Sequence, residues 1–291
     1  MKKYLALLLT MVMGMTMLVG CGGTTAPAPE NDAQEQQADE GEDERVDDSA
    51  NRTQLIVGFD AEYPPYGYRN DAGEYVGFDL ELAAEACERL GWELIKQPID
   101  WDAKDMELNS GAIDCIWNGF TMTGREGSYL FSEPYVDNSI VFVVRADAGI
   151  EEKDDLAGKV VMTQADSSAL TALTKTENND ENLALAASFA ALEQTADYNT
   201  AFMNLEAGAI DAIAVDIGVA QYQLNSRGGL FAMMEEPLST EQYAIGFRLG
   251  DVALRDAVQG AVDEMVADGT FMEIVANYAE YNLDQMVCIG E

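Results

Sequence analysis

Short apolar runs alternate with amphipathic segments along most of the chain after residue 50. Residues 54–59 (QLIVGF) predict a buried strand. Residues 79–91 (DLELAAEACERLG) space their apolar positions as a helix does and end at a glycine. After an apolar, β-branched run over 139–147 the alternation restarts and continues toward the C-terminus. Strands that alternate with helices are typical of an α/β fold with a largely parallel sheet.

The same patterns predict the remaining elements. Between residues 92 and 118 they predict a strand, a short helix and a second strand (ELIKQPI, DAKDMELNSG and AIDCIW). Further on they predict helices over 167–177 and 195–209, strands over 184–189 (ALAASF) and 212–216, and a single strand over 242–250. Two helices separated by Gly269 close the chain.

One short phrase occurs twice, as LNSGAIDCIWNG from Leu108 and as LEAGAIDAIAVD from Leu205. In both copies the glycine can end a helix, the isoleucine and aspartate begin a buried strand, and the strand leads to Asn118 or Asp216. Ligands of open α/β sheets bind at the carboxyl ends of strands. The repeat therefore predicts two similar α/β lobes, each of which presents a polar residue to a common ligand-binding cleft. Chance recurrence of helix–glycine–strand turns is the alternative.

The first 50 residues do not belong to this alternation. Residues 1–20 carry two lysines and then an apolar run, as an export signal does, and Leu-Val-Gly-Cys resembles a bacterial lipobox that would lipidate Cys21. An ordinary secretory signal with an incidental cysteine is the alternative. Residues 21–50 hold ten acidic residues and one arginine without apolar periodicity, which predicts a disordered acidic tether.

Composition removes several classes of function. A net charge of −37 repels phosphate backbones and excludes nucleic acid as a partner. The chain has no histidine, so histidine-based triads and histidine metal ligands are absent. Cys87, Cys115 and Cys288 follow no zinc-binding spacing and are expected as free thiols. We therefore predict neither a metal nor a cofactor.

Seven stretches in a fixed order carry a family resemblance. They are GFDAEYPPYGY (58–68), GEYVGFDLELAAEACERLG (73–91), GAIDCIWNGFTMTGRE (111–126), FSEPYV (131–136), DLAGKVVMTQADSSA (155–169), GAIDAIAVD (208–216) and DGTFMEIVANY (268–278). Together they resemble the amino-acid-binding solute receptors of ABC importers, which have the two-lobed type II periplasmic binding protein fold.

The resemblance implies a specific domain organisation. Residues 51–143 and 244–291 would form lobe 1, residues 144–243 would form lobe 2, and each lobe would be a mostly parallel sheet flanked by helices. Two hinge strands near 141–145 and 242–247 would join the lobes.

The resemblance also implies a site for the ligand carboxylate. Arg125 would bind both carboxylate oxygens, because a guanidinium presents paired donors. Thr121 would add a hydroxyl and Gly119 a backbone contact. The loop is one residue shorter than the family pattern, so the turn before Arg125 must tighten. A surface arginine paired with Glu126 is the alternative.

The resemblance further implies that the other lobe would hold the ligand ammonium. Asp216, at the end of a strand, is the expected acceptor, with N-capping of the next helix as its alternative role. Ser167 and Ser168 lie where a strand passes into a helix, so they can bind an anion, cap the helix, or do both. Asp166 stands where the family often has glycine.

The ligand side chain would meet a third group of residues. Tyr63 and Trp101 match the aromatic pair that flanks it, although aromatic residues at such positions also serve as core. Asp60 and Asn118 match side-chain contacts, and Asp60 could instead brace the turn that follows it. One arginine and two aspartates would give the pocket a charge near −1, which favours basic ligands, then neutral polar ones such as glutamine or cystine, and acidic ones last.

These expectations combine into one function. We predict an extracytoplasmic, monomeric substrate-binding protein that is lipid-anchored to the cell membrane, closes around a free amino acid and delivers it to an ABC permease with its ATPase. No enzymatic activity is expected. The alternatives are an enzyme on the same fold, such as a dehydratase, a ligand-sensing receptor domain, or a cation-buffering acidic surface protein.

Overall fold

The computed structural model describes residues 51–175 and 180–290. The predicted signal peptide (1–20), the tether (21–50) and the lipidation site at Cys21 lie outside the described residues. Within the described part, no helix combines the length and apolar character needed to cross a membrane.

Strands and helices alternate along the described chain. The strands are β1 (Gln54–Phe59), β2 (Glu62–Tyr63), β3 (Gly67–Arg69), β4 (Tyr75–Val76), β5 (Glu93–Pro98), β6 (Cys115–Ile116), β7 (Leu130–Phe131), β8 (Val136–Arg145), β9 (Val160–Gln164), β10 (Ala191–Thr195), β11 (Ala212–Asp216), β12 (Phe231–Met233), β13 (Ser239–Tyr243) and β14 (Gly246–Phe247). The helices are α1 (Phe78–Leu90), α2 (Lys104–Ser110), α3 (Ser168–Thr174), α4 (Asp180–Ser188), α5 (Tyr198–Glu206), α6 (Ile217–Ser226), α7 (Val252–Asp268) and α8 (Thr270–Ala276).

The strands form two larger sheets and one small one. The first sheet has the order β5-β1-β6-β14-β7, the second has β10-β9-β11-β8-β12 with β13 also paired to β8, and β2, β3 and β4 form the third. In the first sheet only β14 runs against the other strands, and in the second only β8 does. The prediction of two mostly parallel sheets is therefore confirmed.

Each sheet is flanked by its own helices. Helices α1, α2 and α7 pack against the first sheet, α1 also packs against the small sheet, and α8 packs against α1 and α7. We call these sheets and helices the first lobe. Helices α3, α5 and α6 pack against the second sheet, and α4 packs against α3. We call this sheet and its helices the second lobe. Strand β8 is buried on both faces, because Ile140 and Phe142 pack in one apolar cluster and Val141 and Val143 in another. A strand that is buried on both faces requires a continuous run of apolar residues, which agrees with the apolar run seen in the sequence.

The repeated phrase has the same structural role in both lobes. Asp114 accepts a hydrogen bond from the backbone N–H of Ile56 on β1, and Asp211 accepts one from Val160 on β9, each at 2.8 Å. Each aspartate thus ties the start of its strand to the start of the neighbouring parallel strand. The preceding glycine of each copy has a left-handed backbone, as expected after a helix.

Two of the predicted elements are wrong. Of residues 184–189, predicted as a strand, residues 184–188 belong to helix α4, which ends at Ser188, and strand β10 begins only at Ala191. The alanine-rich run favours a helix more strongly than its apolar character favours a strand. Residues 242–250, predicted as one strand, divide between β13 and β14, which lie in different sheets.

The chain passes between the lobes twice, and the two passages lie side by side. Ser132 donates its backbone N–H to the Ile245 carbonyl at 3.0 Å and accepts the Ile245 N–H on its hydroxyl at 2.8 Å. Tyr135 donates its N–H to the Tyr243 carbonyl at 3.0 Å. Residues 141–145, expected near the hinge, lie inside the second sheet in β8. The lobe boundaries at 143/144 and 243/244 stay predictions.

Candidate ligand-binding cavity

A narrow cavity lies between the two lobes, and the space it leaves for the centre of a water molecule is about 10 Å³. The first lobe lines it with Tyr63, Trp101, Asn118, Gly119, Thr121 and Arg125, and the second lobe with Gln164, Ser167, Ser168 and Asp216. Nine of the ten residues predicted to bind ligand are among these. The structure therefore brings them together, while their binding roles stay predictions. Gln164 was not predicted.

Arg125 lies on the cavity wall with its guanidinium 5.0 Å from the centre of the Phe120 ring. No ion pair joins it to Glu126 or to any other described carboxylate, so the surface-pair alternative finds no support there. The turn before it is tight, since the Arg125 N–H binds the Met122 carbonyl at 2.9 Å and Gly124 has a φ of +77°. Gly124 thus supplies the left-handed residue of this turn.

Asp216 ends β11 on the opposite wall and is 3% exposed. Its carboxylate accepts hydrogen bonds from the Tyr243 hydroxyl at 2.5 Å and the Asn138 amide at 2.7 Å. Asp216 occupies the N-cap position of α6, but its side chain makes no capping bond. Burial raises the pKa of the Asp216 carboxyl, and the hydrogen bonds oppose that rise.

Glu241 is a second buried carboxylate behind the wall, and the sequence did not suggest it. It accepts hydrogen bonds on Oε1 from the Thr121 hydroxyl at 2.8 Å, the Asn138 amide at 2.9 Å and the Ser168 hydroxyl at 3.1 Å. Burial raises its pKa to about 7. The available signal was β-strand alternation, because Glu241 lies two residues before buried Tyr243 and shares its face of β13.

Ser167 and Ser168 have different roles. The Ser167 hydroxyl accepts the Leu170 N–H at 3.1 Å, so its predicted capping of α3 is confirmed. Ser168 instead donates its hydroxyl to Glu241. Just before them, Asp166 adopts a left-handed backbone with φ of +55°, which explains why glycine suits this position.

Asp60 is the one predicted ligand-binding residue that does not line the cavity, and its contact with the ligand stays a prediction. Its carboxylate accepts the Glu62 N–H at 2.8 Å and the Gln164 amide at 2.6 Å. It therefore braces the turn after β1, the alternative role, and also links the two lobes. Burial raises its pKa to about 6. Asn118 supports the same segment by accepting the Asp60 N–H at 3.0 Å.

The aromatic residues form one cluster around the cavity. The rings of Tyr63 and Trp101 are parallel, with centroids 6.5 Å apart, and Tyr63 also contacts Tyr198 of the second lobe. The Tyr63 and Tyr243 hydroxyls are 3.2 Å apart. Tyr63 and Trp101 are thus both wall residues and members of the core.

The fold and the cavity define a class of protein. Two α/β lobes, joined by two adjacent passages and enclosing a polar cavity, make a two-lobed binding protein with the type II periplasmic binding protein fold. Residues 55–281 match the bacterial extracellular solute-binding proteins, family 3, and the chain belongs to this family.

Named relatives and solved structures agree with this assignment. The L-cystine-binding protein TcyJ of Escherichia coli (strain K12) is 30% identical over 226 residues, which are 77% of this chain and 81% of that protein. An ABC uptake transporter substrate binding protein from Streptococcus pneumoniae with bound histidine has a TM-score of 0.70 at 31% identity, covering 79% of this chain and 93% of its own. An ancestral arginine-binding protein bound to arginine has the same TM-score and identity, covering 78% and 98%.

Proposed function

We propose that the protein captures a free amino acid between its lobes and delivers it to an ABC importer. The observation that carries this proposal is the position of Arg125 and Asp216 on opposite walls of one cavity. A guanidinium fits the ligand carboxylate, and a carboxylate fits the ligand ammonium. The names of the relatives, which bind cystine, histidine or arginine, support an amino acid as the ligand.

Capture requires the lobes to separate and close again. The cavity as it stands holds about one water molecule, so an amino acid enters only when the lobes part. Contacts between the lobes then favour closure, among them the Asp60–Gln164 hydrogen bond and one from Asn199 to Glu62 at 3.3 Å. The neighbouring passages at residues 132–135 and 244–245 are the natural hinge.

The ligand preference follows from the charges near the cavity. Arg125 balances Asp216, and the buried carboxyl of Glu241 adds further acidic character behind the wall. We therefore propose a basic amino acid first, a neutral polar one second and an acidic one last. Asp60 contributes less in this proposal than its sequence position suggested, because its carboxylate is already bound by Gln164.

The remaining features complete the proposal. Residues 1–20 would direct export and Cys21 would carry the lipid anchor, which places a monomeric binding protein on the outer face of the cell membrane beside its permease and ATPase. The ligand leaves the protein chemically unchanged, so mass spectrometry of a released ligand should return the amino acid that was added.

A thermal-shift screen with the twenty amino acids, cystine and ornithine tests this function. A ligand at 1,000 times its dissociation constant adds about 4 kcal/mol to the free energy of unfolding, which raises the melting temperature by several degrees. Calorimetry on Arg125→Ala should then show a loss of at least about 2 kcal/mol in binding free energy, because the ligand carboxylate loses its cation. Unchanged affinity in that variant, or no shift with any amino acid, would overturn the proposal.

A further inference from the structure

Asp216 and Glu241 form a buried carboxylate pair that shares one donor. The Asn138 amide nitrogen donates to Asp216 Oδ1 at 2.7 Å and to Glu241 Oε1 at 2.9 Å. The distance between these two carboxylate oxygens therefore cannot exceed the sum of the two hydrogen-bond lengths. Asp216 faces the cavity directly. Glu241 reaches the same wall through the hydroxyls of Thr121 and Ser168.

Glu241 also borders a second space on the far side of the wall. An open groove of about 490 Å³ lies there, and Glu241 is 9% exposed. The groove is lined by Thr123, Asp137, Asn138, Ser139, Thr240, Glu241 and Gln242. Glu241 therefore connects the cavity wall with solvent, and a proton on its carboxyl can leave through the groove while the lobes stay closed.

Two buried carboxyls this close do not both ionise unless a positive charge compensates them. Among the described residues that line the cavity, Arg125 is the cation, and a bound ligand carboxylate uses it. A neutral amino acid brings equal positive and negative charge, so one of the two carboxyls stays uncompensated. A basic amino acid brings one additional positive charge, which allows the second carboxyl to ionise.

We propose that Glu241 determines specificity by keeping its proton when a neutral amino acid binds and releasing it when a basic one binds. The proton passes from the Glu241 carboxyl to water in the groove, and no other bond changes. The inference rests on the proposed function and deepens it. It predicts that selectivity for basic over neutral ligands increases with pH across the range where Glu241 titrates.

Other titratable groups surround the pair. Tyr63, Tyr66, Tyr198 and Tyr243 face it, and burial raises the pKa of each phenol, so all four stay neutral near pH 7. Asp60, with a pKa of about 6, binds Gln164 from the first lobe. Burial raises the pKa of Asp79, which binds the Gly119 N–H, to about 7, and buried Lys104 pairs with Asp166. Only the comparison of wild type with a Glu241 variant separates its contribution from theirs.

The experiment is calorimetric titration with arginine and with glutamine at pH 6, 7 and 8. Each titration is repeated in two buffers of different ionisation enthalpy, which gives the number of protons released. In the wild type, the arginine-to-glutamine affinity ratio should rise about tenfold from pH 6 to pH 8, and arginine should release more protons than glutamine. In Glu241→Gln, both the rise and the difference in proton release should disappear.

Asp137→Asn is the matched control, because Asp137 lines the same groove but is exposed and bonds to Gln242 rather than to the wall. It should behave as the wild type does. A wild-type ratio that is flat with pH, or an unchanged rise in folded Glu241→Gln, overturns the inference even if amino acids bind. Binding of glutamine or cystine without arginine also overturns it, whereas binding of no amino acid overturns the proposed function. Since the wild-type ratio is itself a test, the inference stays falsifiable if Glu241→Gln fails to fold.

Discussion

Asp79 shows how a single buried side chain can hold the cavity in shape. It is fully buried in α1, and its carboxylate accepts the Gly119 N–H at 2.5 Å from behind the cavity wall. Burial raises its pKa to about 7, although the bond from Gly119 opposes the rise. The sequence suggested Asp79 as the start of a helix, but Gly77 holds the N-cap position and Asp79 supports the wall loop.

The pKa of Asp79 makes stability depend on pH. Between its unfolded value near 4 and about 7, the folded protein binds more protons than the unfolded chain, so the free energy of unfolding falls as pH rises. Asp60 and Glu241 act in the same direction. We expect Asp79→Asn to be more stable than the wild type by at least about 1 kcal/mol at pH 8, with a smaller difference at pH 5. Urea denaturation at the two pH values measures this.

Glu273→Gln is the control for that prediction, because Glu273 is exposed on α8. It should leave the dependence of stability on pH as it is in the wild type. Stability curves of Asp79→Asn and wild type that stay parallel from pH 5 to pH 8 would contradict the role of Asp79.

At the scale of residues, the sequence predicted the two charged wall residues better than the residues that hydrogen-bond around them. Arg125 and Asp216 follow strands or turns that the repeated phrase and the family pattern mark. Glu241 and Gln164 reach the wall only because β13 pairs with β8 and because the lobes meet, and both are contacts distant in sequence. The hydrogen bond between Asp60 and Gln164 of the other lobe likewise joins residues distant in sequence, so local pattern could not predict it.

At the scale of elements, helix α6 meets the first lobe at a glycine. A Cβ atom on Gly218 would lie 2.4 Å from the Tyr66 hydroxyl oxygen and 2.9 Å from the ring carbon Cε2. Tyr66 is fully buried between β2 and β3, and its ring also packs against Tyr243. The two elements can approach only because position 218 has no side chain.

We therefore expect Gly218→Ala to hinder closure and to weaken ligand binding about tenfold, a typical cost of overpacking. Adding Tyr66→Phe should restore part of the affinity, because it removes the atom nearest to the new methyl group. Calorimetry with the ligand found in the screen measures both effects. Gly260→Ala in α7 is the control, since its Cβ would meet no atom within 4 Å. Equal affinities for Gly218→Ala and Gly260→Ala would refute the contact.

Most elements could be predicted because they carry strong local signals. Strand β1 matches its predicted residues, and α1 ends at Gly91 as expected. The segment 184–189 failed because an alanine-rich apolar run has no distinct period. The run 242–250 failed because its division between two sheets depends on partners elsewhere in the chain. The local hydrophobic pattern thus predicts where helices and strands occur, whereas pairing with distant strands determines the sheet to which each strand belongs.

At the scale of the whole molecule, an ion pair with a buried lysine joins the two lobes. Lys104 of the first lobe is 2% exposed and forms an ion pair with Asp166 of the second, and its ammonium lies 5.1 Å from the Trp101 ring centre. Burial lowers the pKa of Lys104, and the hydrogen bond and charge of Asp166 oppose that decrease. The ion pair with Asp166 therefore offsets only part of the cost of taking the Lys104 ammonium out of water.

This balance predicts that Lys104→Met tightens ligand binding, by about threefold to tenfold, because closure no longer buries a charge. Asp166 keeps its contact with water, since its side chain is 56% exposed. Titration calorimetry provides the measurement. Lys153→Met, which removes a surface pair with Glu236, is the control and should leave affinity unchanged. Weaker binding in Lys104→Met would mean that the pair favours closure.

The order of strands in the first sheet has a consequence for biosynthesis. Strand β14 lies between β6 and β7, whereas every strand of the second sheet comes from the uninterrupted stretch between Val136 and Tyr243. During synthesis from the N-terminus, the second sheet can thus form before Gly246 has been made. Strands β6 and β7 of the first sheet still lack β14 between them at that stage. The part of the protein that is made first is the part that must finish folding last.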